Sequence, residues 1–177
     1  MSKKPIFIVG YMASGKTTFG RALSKALGRD FIDLDFYIEQ RFRKTINEIF
    51  EERGENSFRR MESCMLEEVS AFENAVVACG GGTPCFGNNM DVMLESGIVV
   101  WLQASRQRIL DRLLANNSRR PLMRGKSRAE IEAGIVEGLG ARERHYSRAQ
   151  IIYSGENLET HAQIDSAIQS FINKYEF

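Results

Sequence analysis

The sequence predicts a three-layer α/β fold, in which a parallel five-stranded sheet is covered by helices on both faces. Short apolar runs of strand length alternate with segments of helical periodicity along all 177 residues. The first of these runs ends in a glycine-rich loop that leads directly into a helix. No linker, repeat or low-complexity tract divides the chain, so we expect one domain spanning residues 1–177.

The glycine-rich loop carries the strongest functional motif. Residues 10–17 read GYMASGKT, which is the G-x-x-x-x-G-K-[ST] phosphate-binding pattern, and the apolar run IFIV precedes it. Backbone N–H groups of such a loop, together with the N-terminus of the next helix, bind an anion. Lys16 would reach the β and γ phosphates of a nucleotide, and the Thr17 hydroxyl would bind Mg²⁺.

Acidic residues stand at the end of the second predicted strand, residues 30–34. Asp33 and Asp35 lie where parallel α/β sheets bind their ligands, at the carboxyl ends of the strands. On an extended chain the two side chains would point in the same direction. We expect them to bind a ligand, and the alternative is a pair of acidic turn residues.

Two further helices are predicted at residues 36–53 and 57–72. The second carries Arg59 and Glu62, whose spacing of three is the usual one for a solvent-exposed ion pair. Only their position at the start of a helix, after a glycine, makes a ligand role plausible. Later in the chain, the capping-box pattern that begins at Ser127 predicts the start of another helix.

Three consecutive glycines, Gly80, Gly81 and Gly82, follow the third predicted strand at residues 75–79. Glycine loses the most conformational entropy on folding, so such a run needs a reason. Close approach of a ligand to bare backbone is one explanation, and a flexible turn is the other. The fourth and fifth strands are predicted at residues 98–102 and 151–153, and helices separate them.

Residues 115–127 are polar, basic and interrupted by Pro121 and Gly125. Because this segment can bury little apolar surface, we expect it to be mobile. The wider region from Arg106 to Arg148 holds eleven basic residues against five acidic ones, although the whole chain carries a net charge of only +1. A basic flap in a phosphate-loop protein predicts a lid over a small, highly charged ligand, and favours it over a nucleic-acid surface.

The composition argues against several other classes of protein. Three cysteines lack metal-ligand spacing, and two histidines leave little scope for a zinc site. No signal peptide and no apolar run of about 18 residues is found, which favours a cytoplasmic protein with reduced thiols.

The assembled motifs resemble the shikimate kinases, a nucleoside monophosphate kinase-like P-loop family. Six segments occur in the family's order: GYMASGKT, DLD, GENSFRRME, GGG, RRPL and the R-x-x-x-Y of Arg142 to Tyr146. The resemblance implies transfer of the γ-phosphoryl group of ATP to the 3-hydroxyl of shikimate, a step of the chorismate pathway to aromatic amino acids. We expect a monomer that binds ATP and shikimate with one Mg²⁺ per ATP, and neither nucleic acid nor a membrane.

The resemblance also implies catalytic and metal-binding roles. Lys16, Asp35 and Arg120 would be catalytic, with Asp35 holding the shikimate hydroxyls and taking the attacking proton, and Arg120 acting as the lid arginine. Thr17 would bind the Mg²⁺ directly, and Asp33 would lie near the metal through water.

Binding residues follow from the same resemblance. Arg59 and Arg142 would grip the carboxylate of shikimate, and Gly81 and Asp35 would contact its ring and hydroxyls. Arg112 would pack against adenine together with the turn at residues 154–157. The nucleotide-binding residues are Ala13, Ser14, Gly15, Lys16, Thr17, Thr18, Arg112, Arg120 and Asn157.

Two departures from the family pattern affect these assignments. Arg144 and His145 stand before Tyr146 where the family has a proline and a leucine, so Arg144 competes with Arg142 for the carboxylate. Residues two apart on a helix point about 200° apart, so only one can face the site, and we prefer Arg142. Ala13 occupies a position where glycine is common, and we expect one methyl group to be tolerated.

Three alternative functions are weighed against a shikimate kinase. Another small-molecule kinase of the same fold, such as a gluconate kinase, would also use arginines for a carboxylate, but GENSFRRME and GGG favour shikimate. A GTPase switch would need an N-K-x-D motif, which is missing. A non-catalytic nucleotide-binding module would be expected to have lost Lys16, Asp35 or Arg120.

Overall fold

The computed structural model describes residues 3–115, 125 and 127–177. Five parallel strands form one sheet in the order β2-β3-β1-β4-β5. The strands are β1 (Ile6–Val9), β2 (Asp30–Asp33), β3 (Ala75–Ala78), β4 (Ile98–Gln103) and β5 (Ile151–Ser154). The predicted five-stranded parallel sheet is confirmed, and β1 lies at its centre. The loop after β1 therefore emerges in the middle of the carboxyl edge, with chain segments converging on it from both sides.

Helices cover both faces of this sheet. They are α1 (Lys16–Leu27), α2 (Leu34–Phe42), α3 (Ile46–Ser70), α4 (Asn89–Ser96), α5 (Arg106–Ala115), α6 (Arg128–Tyr146) and α7 (His161–Tyr175), with a short 3₁₀ helix at Thr83–Cys85. The capping box predicted at Ser127 is confirmed, since its hydroxyl accepts a bond from the Glu130 N–H. None of the helices in the described residues is long and apolar enough to cross a membrane.

The side chains of β1 alternate between two apolar cores. Phe7 and Val9 pack into the core shared with α2 to α6, whereas Ile6 and Ile8 pack into the core shared with α1 and α7. All four side chains are fully buried. Burying a side chain of this size contributes about 1.5–3 kcal/mol, so the strand that precedes the phosphate loop is rigidly held.

The helix predicted at residues 36–53 has the wrong boundaries, because the helical backbone is interrupted within this range. α2 ends at Phe42, and Arg43 adopts a left-handed conformation with φ of 53°. Thr45 then caps α3 in a capping box with Glu48. α3 continues through a kink at Gly54, whose φ is 74° and ψ 168°, so the helix predicted at residues 57–72 is the second half of α3.

Candidate active site

The phosphate loop has the shape that its motif predicts. Gly10 and Gly15 have φ values of 145° and 100°, and a Cβ added to Gly10 would lie 2.6 Å from the Leu102 carbonyl oxygen. Helix α1 begins at Lys16 without a side-chain cap, so its first N–H groups and its positive dipole end face the loop. The Lys16 Nζ donates to the Tyr11 carbonyl oxygen over 2.9 Å. An anion placed here meets backbone N–H groups and an ammonium group together.

Ala13 has a left-handed backbone, with φ of 61°. A residue with a Cβ adopts this conformation at a cost of about 1–2 kcal/mol. The loop therefore accommodates the Ala13 methyl group, but in a backbone conformation that glycine would adopt more readily.

Two oxygen ligands suited to Mg²⁺ meet beside the loop. The Thr17 hydroxyl donates to Asp33 Oδ2 over 3.0 Å, and Asp33 Oδ1 accepts a longer bond of 3.4 Å from the Phe36 N–H. In the described residues no group of three or more His, Cys, Asp or Glu side chains could hold a metal ion. A hydroxyl and one carboxylate fit an ion that keeps several waters and takes its other ligands from phosphates, as Mg²⁺ does.

Asp33 and Asp35 do not share one extended segment, which corrects the prediction from strand periodicity. Asp33 ends β2 and caps α2, whereas Asp35 lies in the first turn of α2. The helix turns the Asp35 carboxylate towards the glycine run, where a Cβ added to Gly80 would lie 3.1 Å from Asp35 Oδ1. Helix geometry therefore separates the two acids into one beside Thr17 and one beside the glycines.

The Asp35 residue is exposed at the surface, yet protein atoms surround its carboxylate closely enough to reduce its hydration. This partial burial raises the pKa of Asp35 to about 6, and the negative charges of Glu62 and Asp33 act in the same direction. Lys16 and Arg59 act in the opposite direction and are outweighed. Asp35 is therefore ionised for the most part at neutral pH, yet it has a higher proton affinity than an ordinary aspartate.

Glu62 is a site residue that sequence reasoning missed. Its side chain is only 1% exposed, and its carboxylate accepts bonds from Arg59 Nη1 over 2.8 Å and from the Thr83 hydroxyl over 2.6 Å. Burial lowers the pKa of Arg59, but the charges and hydrogen bonds of Glu62 and Glu55 outweigh it and hold the pKa above its ordinary value. The predicted solvent-exposed pair thus joins a buried carboxylate to a partly buried guanidinium. Its spacing of three was the signal available in the sequence.

Each glycine of the run lies against a different part of the site. A Cβ on Gly82 would lie 2.5 Å from Arg59 Nη2, and a Cβ on Gly81 would lie 3.4 Å from the Met12 N atom and 3.6 Å from Arg142 Nη1. The two arginines therefore flank the run, and the phosphate loop adjoins its middle. Because the glycines have no side chains, charged groups of the protein itself lie close to their backbone. Neither explanation offered from the sequence predicted this.

Arg142 and Arg144 lie in different environments. The Arg142 guanidinium stacks over the Tyr11 ring at 5.2 Å from its centroid. The Tyr146 hydroxyl, one turn further on, donates to the Gly81 carbonyl oxygen over 2.5 Å and fastens α6 to the glycine run. Arg144 is exposed and donates to the His145 Nε2 over 3.1 Å. The geometry thus brings Arg142 to the glycine run with Arg59.

The predicted nucleotide side is built around Arg112 of α5. Its Nη1 donates to the Ala13 and Ser14 carbonyl oxygens, each over 3.1 Å, and its Nη2 donates to the Gly155 carbonyl oxygen over 2.7 Å. The predicted adenine turn, residues 154–157, thereby meets the phosphate loop.

The other predicted nucleotide residues lie at this same edge. Thr18 is exposed on the first turn of α1, and Asn157 is exposed just beyond β5. Ser14 is buried within the phosphate loop, and its hydroxyl has no hydrogen-bond partner among the described residues. The contact of Ser14 with a nucleotide stays a prediction.

Comparison with known proteins shows the family to which this chain belongs. A family model described as shikimate kinase matches residues 12–173. The chain belongs to the shikimate kinase family. A shikimate kinase of Bacteroides fragilis is 45% identical over 164 residues, which cover 93% of this chain and 92% of the relative.

Solved structures give the same result. A shikimate kinase from Bacteroides thetaiotaomicron has a TM-score of 0.95 at 42% identity, with 98% of this chain and 99% of that chain covered. A shikimate kinase from Acinetobacter baumannii in complex with shikimate has a TM-score of 0.83 at 32% identity, with 98% and 93% covered. The predicted resemblance and fold class are confirmed, and a gluconate kinase is not favoured.

The roles assigned to single residues remain predictions within the shikimate kinase family. Arg120 and the predicted lid at residues 115–127 lie almost entirely outside the described residues, so the site described here does not include the lid arginine. The described part brings together Lys16, Asp35 and the two arginines that flank the glycine run.

Proposed function

We propose that the chain transfers the γ-phosphoryl group of ATP to the 3-hydroxyl of shikimate. We call Asp35, Arg59, Glu62 and Arg142 the acceptor cluster. One observation carries the proposal: a Cβ placed on Gly81 would lie 3.4 Å from the Met12 N atom of the phosphate loop and 3.6 Å from Arg142 Nη1 of this cluster. A hydroxyl held against the glycine run would therefore lie next to the phosphate held by the loop. Phosphoryl transfer depends mainly on such positioning and on charge stabilisation.

The phosphate side supplies positive charge. Lys16 and the N–H groups at the start of α1 would bind the β and γ phosphates. Thr17 and, through water, Asp33 would hold Mg²⁺, which neutralises charge on the transferring group when it is bound. Arg120, assigned by the family resemblance, would add a further cation from the lid.

The acceptor side supplies orientation and a proton acceptor. Arg59 and Arg142 would bind the planar carboxylate of shikimate through bidentate hydrogen bonds. Asp35 would accept the hydrogen bond of the 3-hydroxyl and then its proton, since a pKa of about 6 suits a base working near neutrality. Glu62 holds Arg59 from the buried side, so the guanidinium is oriented before shikimate arrives.

We infer further that the enzyme acts as a cytoplasmic monomer with one Mg²⁺ per ATP. Asp35, Arg59 and Arg142 converge on the glycine run within one fold unit, so this part of the site does not require a second copy of the chain. Sedimentation velocity of the purified protein, with and without ATP, tests this part of the proposal.

The decisive test is a coupled assay of ADP release with shikimate, with gluconate and without an acceptor, at saturating Mg²⁺. We expect release that depends on shikimate, and ³¹P NMR should show a phosphate monoester on the 3-hydroxyl. The matched control, Lys16→Met, should remain folded but lose turnover, because Lys16 serves charge stabilisation more than the core. Faster turnover of gluconate would support the rival kinase, and no turnover of either acceptor would support a non-catalytic module.

A further inference from the structure

Every N–H group of Arg112 is engaged by the protein. Besides the carbonyl oxygens of the phosphate loop and of Gly155, Oε1 of Glu159 accepts from Arg112 Nε over 2.9 Å and from Nη2 over 2.7 Å. A guanidinium has five N–H donors, all in one plane, and these contacts use them all. No in-plane donor is left over for a phosphate oxygen.

This arrangement restricts what Arg112 can offer to a nucleotide. With its edge occupied, only the flat faces of the guanidinium remain, and these suit stacking against a planar base. The turn that contains Gly155 lies so close to the phosphate loop that a Cβ added to Gly155 would be 2.5 Å from the Ser14 carbonyl oxygen. The loop carbonyls and Glu159 therefore act as anchors for the plane of the guanidinium.

Among these anchors, Glu159 is the one charged group. Its carboxylate is partly exposed, and Oε2 accepts a bond from the Leu158 N–H over 3.0 Å. Burial acts to raise the pKa of Glu159, but the hydrogen bonds and charges of Arg112 and its neighbours outweigh it and hold the pKa below the ordinary value. Arg108 adds a looser contact at 3.8 Å. Glu159 is thus a fixed anion at the entrance to α7, directly behind Arg112.

We propose that Glu159 is a positioning residue for the nucleotide, which holds the plane of Arg112 so that its face meets the base of ATP. The inference rests on the proposed function for the identity of the nucleotide. Glu159 touches neither the phosphates nor the acceptor cluster, so its effect should be confined to the affinity for ATP.

The test uses Glu159→Ala and the milder Glu159→Gln in the full chain, with ATP binding measured by calorimetry in Mg²⁺ and without shikimate. We expect the Kd for ATP to rise roughly tenfold in Glu159→Ala, which corresponds to about 1.4 kcal/mol, and less in Glu159→Gln. The Kd for inorganic tripolyphosphate, which has no base, should change less than twofold. An equal loss of affinity for both ligands would overturn the proposal, since Glu159 would then act on the phosphate loop.

A double-mutant cycle separates positioning from general destabilisation. If Glu159 acts through Arg112, the double variant Glu159→Ala with Arg112→Ala should bind ATP no more weakly than Arg112→Ala alone. Additive losses would overturn the proposal. Asp165→Asn is the matched control, because Asp165 is an exposed carboxylate on the same helix, α7.

The kinetic signature completes the test. The ATP KM should rise in both Glu159 variants, while the shikimate KM and the kcat at saturating ATP stay within twofold of wild type. A fall in kcat that matched the rise in KM would contradict a positioning role for the base. A wild-type protein that bound ATP but did not phosphorylate shikimate would refute the proposed function, and the calorimetric test of Glu159 would still stand.

Discussion

Arg59 and Arg112 illustrate two different uses of one side chain in the same site. In the described structure Arg59 donates from Nη1 to Glu62 and from Nη2 to Glu55, so three of its five N–H groups remain for a ligand. Arg112 has donated all of its N–H groups to the protein and keeps only its faces. The arginine predicted to bind a carboxylate is held from one side, whereas the arginine predicted to stack on a base is held around its edge.

This difference extends to the surroundings of the two arginines. The acceptor side gathers charges from α2, α3 and α6 around bare backbone, and a shift of a few tenths of an ångström alters their spacing. The nucleotide side relies on one carboxylate, Glu159, and otherwise on backbone carbonyl groups of two loops, which a side-chain substitution does not remove. The acceptor side should therefore respond more strongly to single substitutions, and to pH, than the nucleotide side.

The largest expected effect is at Asp35. Asp35→Asn removes the proton acceptor and should lower kcat by roughly 10²–10⁴-fold, with the ATP KM little changed. In the wild type, kcat/KM for shikimate should fall as the pH drops through about 6, because only the ionised carboxylate accepts the proton. Steady-state rates between pH 5 and 8 check both points, and a variant that retained wild-type kcat would exclude Asp35 as the base.

The same pKa carries a prediction for stability. Folding raises the pKa of Asp35, so the protonated carboxyl stabilises the folded state relative to the ionised one. This stabilisation is fully present below the unfolded pKa of about 3.9 and is lost as the pH rises through about 6. Asp35→Asn should therefore have a higher Tm than wild type at pH 7.5, with a smaller difference at pH 4. Thermal unfolding at the two pH values measures it, and the opposite order would show that Asp35 stabilises the fold when it is charged.

The next largest effect separates Arg142 from Arg144. Arg142→Ala should raise the shikimate KM by tenfold or more, because Arg142 lies at the glycine run, while Arg144→Ala should change it less than twofold. About 1.4 kcal/mol for a tenfold change is a modest loss for a charge-assisted hydrogen bond. Kinetics with the reverse order would move the carboxylate contact to Arg144.

A single methyl group should disturb the acceptor side. In Gly82→Ala the new Cβ would lie 2.5–2.8 Å from the Arg59 guanidinium, which must move away from its position against Glu62. We expect the shikimate KM to rise severalfold with the ATP KM unchanged, as measured by initial rates. Gly87→Ala serves as the control, since a Cβ there has no neighbour within 4 Å, although its φ of 51° adds a small strain.

The smallest effect concerns the phosphate loop. Ala13→Gly should relieve the left-handed strain but add conformational entropy to the unfolded chain, so the free energy of unfolding should change by less than about 1 kcal/mol. Urea denaturation measures the change. A larger loss of stability would mean that the Ala13 methyl group packs usefully in the loop.

Much of this site was predictable because its signals are local. The phosphate-binding pattern, the apolar run before it and the capping box at Ser127 each depend on a few neighbouring residues, and the structure reproduces all three. The break between α2 and α3 was missed although Thr45 and Glu48 carry a capping pattern, because apolar periodicity runs across it. Local signals fail where two of them compete within one segment.

The sequence by itself determined the parallel sheet, the phosphate loop and the family, since periodicity and ordered motifs are properties of the chain. Only the tertiary structure decided that Glu62 is buried beneath Arg59, that the glycines admit charged side chains and that Arg112 is held by Glu159. Residues 59 and 82, or 112 and 159, carry no mark in the sequence of being neighbours. Their contacts arise because parallel strands bring their carboxyl ends to one edge, where distant segments must share space and neutralise each other's charge.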